Sequence, residues 1–76
     1  MFSYNIAPKA DNKEFKRVCM AIEAKLRCFE KDKLLVDVDG TLIQIYHSEK
    51  GEIKVVNDYE VDAVYVDSET DLSHIF

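Results

Sequence analysis

Asp37 and Asp39, followed at once by Gly40 and Thr41, stand at the end of the apolar run Leu34-Leu35-Val36 and are the residues of this chain best suited to chemistry. The run can be read as an enzyme's nucleophile loop. The same residues also have a structural use. Asp39-Gly40 supplies the positive φ values of a two-residue type I′ turn between two β-prone runs, Leu34 to Val38 and Thr41 to Tyr46. Which use applies depends on the elements that must hold the pair.

A hydrophobic strand ending in Asp37-Val38-Asp39-Gly40-Thr41 resembles the first motif of the haloacid dehalogenase superfamily of phosphatases. The resemblance implies Asp37 as nucleophile, Asp39 as proton shuttle, a magnesium ion and a parallel sheet. It is confined to this short run. Parallel strands need crossover connections of about a dozen residues or more, usually helical. After Thr41 no segment of that length has helical periodicity. A later strand ending in Ser or Thr, a Lys on its own helix and an acidic pair closing a magnesium site have no counterparts either. A calcium loop is excluded by alignment: with Gly40 at the invariant glycine, Leu35 and Tyr46 fall where carboxylates are required. The expectation is a hairpin, with no catalytic residue, cofactor or metal.

In a type I′ hairpin, Val38 pairs with Thr41, Val36 with Ile43 and Leu34 with Ile45 on one face. Asp37 with Leu42, Leu35 with Gln44 and Lys33 with Tyr46 form the other. The first face is almost wholly apolar and is expected to be buried, since a slip of one residue exchanges the faces. Leu35, Leu42 and Tyr46 are then left among polar neighbours, as a candidate contact patch.

Around the hairpin, Phe2, Tyr4 and Ile6 alternate with Ser3 and Asn5 as a first strand. Asp11 and Glu14 have capping-box spacing, so a helix is predicted from Asn12 to Glu30. Its stripe of Phe15, Val18, Cys19, Ile22, Leu26 and Phe29 suits one face of a sheet. Ser48 to Gly51 reads as a longer turn with Gly in the left-handed region. Strands follow at Ile53 to Val56 and, after Asn57-Asp58, at Tyr59 to Val66, the last apolar on both faces in Ala63-Val64-Tyr65-Val66. Ser68 with Asp71 suits a final helical turn whose tail, Ile75-Phe76, tucks against the sheet. The fold class is α+β, ordered β-α-β-β-β-β: one amphipathic helix on a mainly antiparallel sheet of four to five strands.

Seventy-six residues, nearly half of them hydrophobic and a third charged, suit one globular domain over residues 1–76. A core of that size is marginal, and homodimerisation would help it. Neither a membrane span nor a signal-peptide pattern is visible, so a cytoplasmic location is expected. Cys19 and Cys28, nine positions apart on the predicted helix, fall on opposite faces and cannot pair. His47 and His74 lack ligand spacing, which argues against zinc.

Charge is divided unevenly. Residues 1–33 carry eight Lys or Arg against five acids, and residues 34–76 carry two against ten. The expected function is therefore that of a small, non-enzymatic interaction or regulatory protein, an inhibitor or adaptor. It would present an acidic sheet region to a protein with a basic surface. The candidate contact residues are Glu60, Asp62, Asp67, Glu69 and Asp71 with Leu35, Leu42 and Tyr46. Small acidic inhibitors of the phage type are similar in composition alone. A nucleic-acid module using the basic helix is the alternative; the acidic half would repel phosphates, so nucleic acid is not the expected partner. A phosphatase-like fragment around Asp37 to Thr41 ranks last.

Overall fold

The computed structural model describes residues 1–76. Its elements are β1 (Phe2–Ala7), α1 (Asn12–Lys25), β2 (Glu30–Lys31), β3 (Leu35–Val36), β4 (Leu42–Ser48), β5 (Gly51–Asp58) and β6 (Ala63–Ser68). The sheet runs β1-β6-β5-β4-β2, with β3 on the same flank of β4 as β2, and every pairing is antiparallel. One helix on an antiparallel sheet is the α+β class expected. The sheet has six strands, one more than the predicted order, because residues assigned to the helix end form β2. No helix is long and apolar enough to cross a membrane.

The helix starts where its capping signal lies. Asp11 is extended, and its Oδ1 accepts the Lys13 and Glu14 amides at 2.8 and 3.4 Å. Its own amide donates to Asn57 on β5 at 2.9 Å, so the cap docks the helix to the sheet. The end comes at Lys25, five residues before the predicted Glu30. Leu26 leaves helical geometry and Phe29 closes a turn onto the Leu26 carbonyl, freeing Glu30 and Lys31 to pair with His47 and Tyr46. Sheet pairing outweighs helical propensity in a tail that contains no strong stop residue. Cys28 consequently lies in the connecting turn, exposed, while Cys19 is buried and both are unpaired.

Phe15, Val18, Cys19 and Ile22 of α1 pack with Phe29, Tyr46, Ile53, Val55, Val66 and Leu72 in one core. The terminal segment completes it: Leu72 is fully buried, Ile75 and Phe76 pack alongside, and the Phe76 ring tilts against Tyr4 at 5.7 Å. The expected tucked tail is present. Asp71 starts its turn by accepting the Ser73 amide at 2.9 Å, while the Ser68 hydroxyl serves Thr70.

Two expectations are corrected at the hairpin. Leu35 pairs with Ile43 and Val36 with Leu42, one residue away from the type I′ register. Gly40 donates to the Asp37 carbonyl and Asp37 to the Thr41 carbonyl, so Val38, Asp39 and Gly40 form a three-residue loop with Gly40 at φ +90. The slip also reverses the faces of β4. Leu42, Gln44 and Tyr46 turn toward the helix; Val36, opposite Leu42, keeps that side but is exposed, as are Leu34 and Val38. The neighbouring register explains why: Ile45 lies opposite Lys54, itself opposite Asp67, and His47 opposite Glu52. Burying Ile43 and Ile45 would take those charges into the core as well, at a cost no apolar gain offsets.

The later strands also shift. Ser48 pairs directly with Gly51, so the β4–β5 turn has two central residues, and Gly51 has φ +117 rather than a left-handed helical value. A Cβ at Gly51 would stand 2.8 Å from the Glu69 Cβ, a distance only glycine permits. The last strand begins at Ala63, not Tyr59, because Asp58 Oδ1 accepts the Glu60 and Val61 amides and holds residues 59–62 in a turn.

Candidate functional site

Strand alternation divides the sheet into a helix side and an open side. Ile53, Val55 and Asn57 of β5 face the helix, which leaves Glu52, Lys54, Val56 and Asp58 on the other side. Register then carries the division across every strand. Leu35 faces Ile43, Ile43 faces Val56, Val56 faces Tyr65, and Tyr65 faces Asn5, forming one row at right angles to the strands. None of these residues belongs to the core beneath the helix. Leu35 is 47% exposed at the edge of the row, while Val56 in its middle is only 3% exposed because its neighbours flank it on both sides.

Charged side chains border this row. Ile45, Lys54, Asp67 and Ser3 form the next one, followed by Glu30, His47 and Glu52. Asp58 closes the opposite end, where the Tyr65 hydroxyl donates to its Oδ2 at 3.4 Å. Among the strand residues of this side, Glu30, Glu52, Asp58 and Asp67 are opposed by Lys54 as the single Lys or Arg. Tyr65 registers the local field: its phenol is pushed above the ordinary value first by burial, then by the negative charges of Asp58 and Asp67. His47 contacts Glu30 at 3.3 Å through Nε2 and Asp32 at 3.2 Å through Nδ1, joining the strand to the outer segment.

The candidate residues read from sequence separate into four places. Leu35 and Asp67 lie on the open side, where Asp67 also accepts the Ser3 hydroxyl at 2.8 Å. Glu69 lies beside its margin and accepts the Glu52 amide at 2.8 Å. Glu60 and Asp62 are exposed in the β5–β6 turn, not on one face of a strand. Asp62 adopts φ +57 and accepts the Ala10 amide at 2.9 Å, so it braces the entry to α1. Asp71 accepts the Tyr4 hydroxyl at 3.0 Å near the terminal turn. Leu42 packs on the core from the helix side, and Tyr46, 1% exposed, has no surface to offer. Ile43, Val56, Tyr65, Glu52 and Asp58 complete the face. Their alternation was visible in sequence, but assigning them to one side required the register.

Tyr46 is buried with a use. Its hydroxyl donates to Glu23 Oε2 at 2.6 Å, and Lys31 Nζ lies 3.2 Å from the same oxygen, tying α1, β2 and β4 together. Burial and the adjacent carboxylate push its ionisation far up, so it stays a donor, while its hydroxyl holds Glu23 below the usual carboxylate range. Burial likewise raises the Cys19 thiol.

The Asp37 and Asp39 carboxylates both serve their own loop. Asp37 Oδ1 accepts the Val38 amide at 2.7 Å and Asp39 Oδ1 the Thr41 amide at 2.9 Å. The Thr41 bonds hold Asp39 below the ordinary aspartate value. The loop joins antiparallel strands, whereas the phosphatase resemblance implies a parallel sheet. Comparison with protein families, with curated proteins and with solved structures returned no match.

Proposed function

We propose that this chain is a small non-enzymatic interaction protein, an inhibitor or adaptor, whose open sheet side receives a protein with a basic surface. The observation that carries the reading is the row Leu35, Ile43, Val56 and Tyr65, outside the helix-side core and set among Glu30, Glu52, Asp58 and Asp67 with only Lys54 opposed. An apolar centre that can be desolvated, ringed by polar groups, is the usual anatomy of a protein interface. Like-signed charge at the rim steers a partner of opposite sign and rejects partners of the same sign. Nucleic acid is disfavoured on this side for that reason.

The test pairs two changes that fail in different ways. Leu35→Asp should remove the apolar contact and shorten the complex's lifetime; Asp58→Lys with Asp67→Lys should slow association and weaken its salt dependence. A basic protein retained by the wild-type chain and lost to both variants supports the reading. Equal retention by all three chains sinks it.

A further inference from the structure

The two edges of the sheet are guarded very differently. On the β2–β3 edge, Lys31 pairs with Tyr46 and Leu35 with Ile43, so the outer strand carries one extra residue between them and bulges at residues 32–34. Gln44 fills the gap by donating to the Asp32 carbonyl at 2.6 Å, and Glu30, Lys31, Asp32, Lys33 and Asp37 crowd that edge with charge. Bulges and charges are the devices that stop a sheet edge from pairing with another chain. The β1 edge has little of this. No residue from Met1 to Pro8 carries a charged side chain, and Phe2 is 43% exposed. Its one irregularity, between Asn5 and Ala7, leaves Phe2 to Asn5 regular.

The free hydrogen-bonding groups of that edge can be identified. The Glu69 amide donates to the Glu52 carbonyl, so alternation along β6 turns Ser68 and Val66 toward β1 and into bonded pairs with Phe2 and Tyr4. Ser3 and Asn5 then direct their amides and carbonyls outward, and none of the turn, loop or cap bonds reaches them.

We infer that β1 pairs with β1 of a second copy of this chain, antiparallel about a two-fold axis at Tyr4, so that two sheets become one. In this register Ser3 of each copy exchanges both backbone bonds with Asn5 of the other, and Phe2 stands opposite Ile6 on the helix side. The strand has no charged side chain, so two chains of net charge −5 approach without like-charged side chains paired across it. The two-fold axis also brings the Lys9 end of one copy toward the Asp67 and Asp71 end of the other, whereas a parallel pair would align the acids with themselves. This self-association is independent of what occupies the open side. A contact made by one strand is small, so the dimer is weak and depends on concentration.

Sedimentation of the full chain from micromolar to millimolar concentration, with amide exchange at both ends of the range, tests the pairing. The wild-type chain dimerises at the high end, and its Ser3 and Asn5 amides slow on the order of tenfold or more relative to the dilute sample. Ser3→Lys with Asn5→Lys sets like charges across both bonded pairs and leaves the chain monomeric, with circular dichroism confirming that it is folded. Ser3→Lys with Asn5→Glu sets opposite charges across the same pairs and retains the dimer. A wild-type chain that is monomeric throughout, or a dimer unmoved by the two lysines, overturns the inference. If the lysine variant does not fold, wild-type exchange decides: unprotected Ser3 and Asn5 amides in the concentrated sample overturn it equally.

Discussion

The two sides of this sheet use the same strands and the same alternation to opposite ends. On the helix side, Tyr46, Ile53, Val55 and Val66 are closed over by α1 and the terminal segment, and the polar groups that enter there are bonded. Asn57 is the clearest case, fully buried while donating to Asn12 Oδ1 at 2.8 Å and accepting the Asp11 amide. On the open side one row is mainly apolar, and the rows beside it mix Ile45 and Ser3 with charged residues. Partnered polarity thus serves to position the helix, whereas the apolar row outside the core is the proposed contact surface.

That contrast is broken most severely from the helix side. Ile53→Ala should destabilise the fold by about 2–5 kcal/mol, the usual cost of emptying a fully buried aliphatic position. Leu35→Ala, at the exposed edge of the open row, should stay within about 0.5 kcal/mol. Chemical denaturation of both variants measures the difference, and similar losses would mean that the open side is a second core. Asn57→Ala follows, at about 1–3 kcal/mol, because it leaves the part-buried Asp11 amide without its acceptor and removes the fully buried Asn57 amide. The loss should appear as faster amide exchange in the first turn of α1.

Gly40→Val should cost about 1–3 kcal/mol, since a β-branched residue is strained at positive φ. Its added Cβ would meet only the Tyr59 ring, at 3.6 Å, so the loss reports backbone strain rather than collision. Unchanged thermal stability would remove the assignment of Gly40 as the hinge of this loop. Asp37→Asn should change stability by no more than about 0.5 kcal/mol, as an exposed substitution. Magnesium-dependent turnover of a phosphomonoester that this substitution abolishes would instead revive the phosphatase reading.

The smallest effect concerns acid. Asp39 is depressed in the folded state, chiefly by the Thr41 amide, so its contribution is present above the ordinary aspartate value and is lost as pH falls through the lower folded value. Asp71, depressed mainly by the Ser73 amide, follows the same sign. Asp39→Asn should lower stability slightly near neutrality and leave it unchanged in acid, which flattens the acid limb of a stability-against-pH curve. An acid limb as steep as that of the wild-type chain would point to a different group.

Local chemistry alone determined the start of α1 at Asp11, the first strand, the turns at Asp39-Gly40 and around Lys50, and the apolar tail. Each depends on residues within one or two turns of each other, where a cap, a positive φ or a short hydrophobic period settles the outcome. The hairpin register was beyond that reach. A two-residue turn and a three-residue loop both accept Gly40 at positive φ, and they differ by one residue and therefore by every face. The choice was made across the sheet, where Glu52, Lys54 and Asp67 had to remain in water and Tyr46 could be buried because Glu23 accepts the hydrogen bond from its hydroxyl. For the same reason the helix gave up Glu30 and Lys31 to β4, and Asp62 left the contact face to hold Ala10. Periodicity states which residues can share a face; only the summed desolvation of strands distant in sequence decides which face is buried.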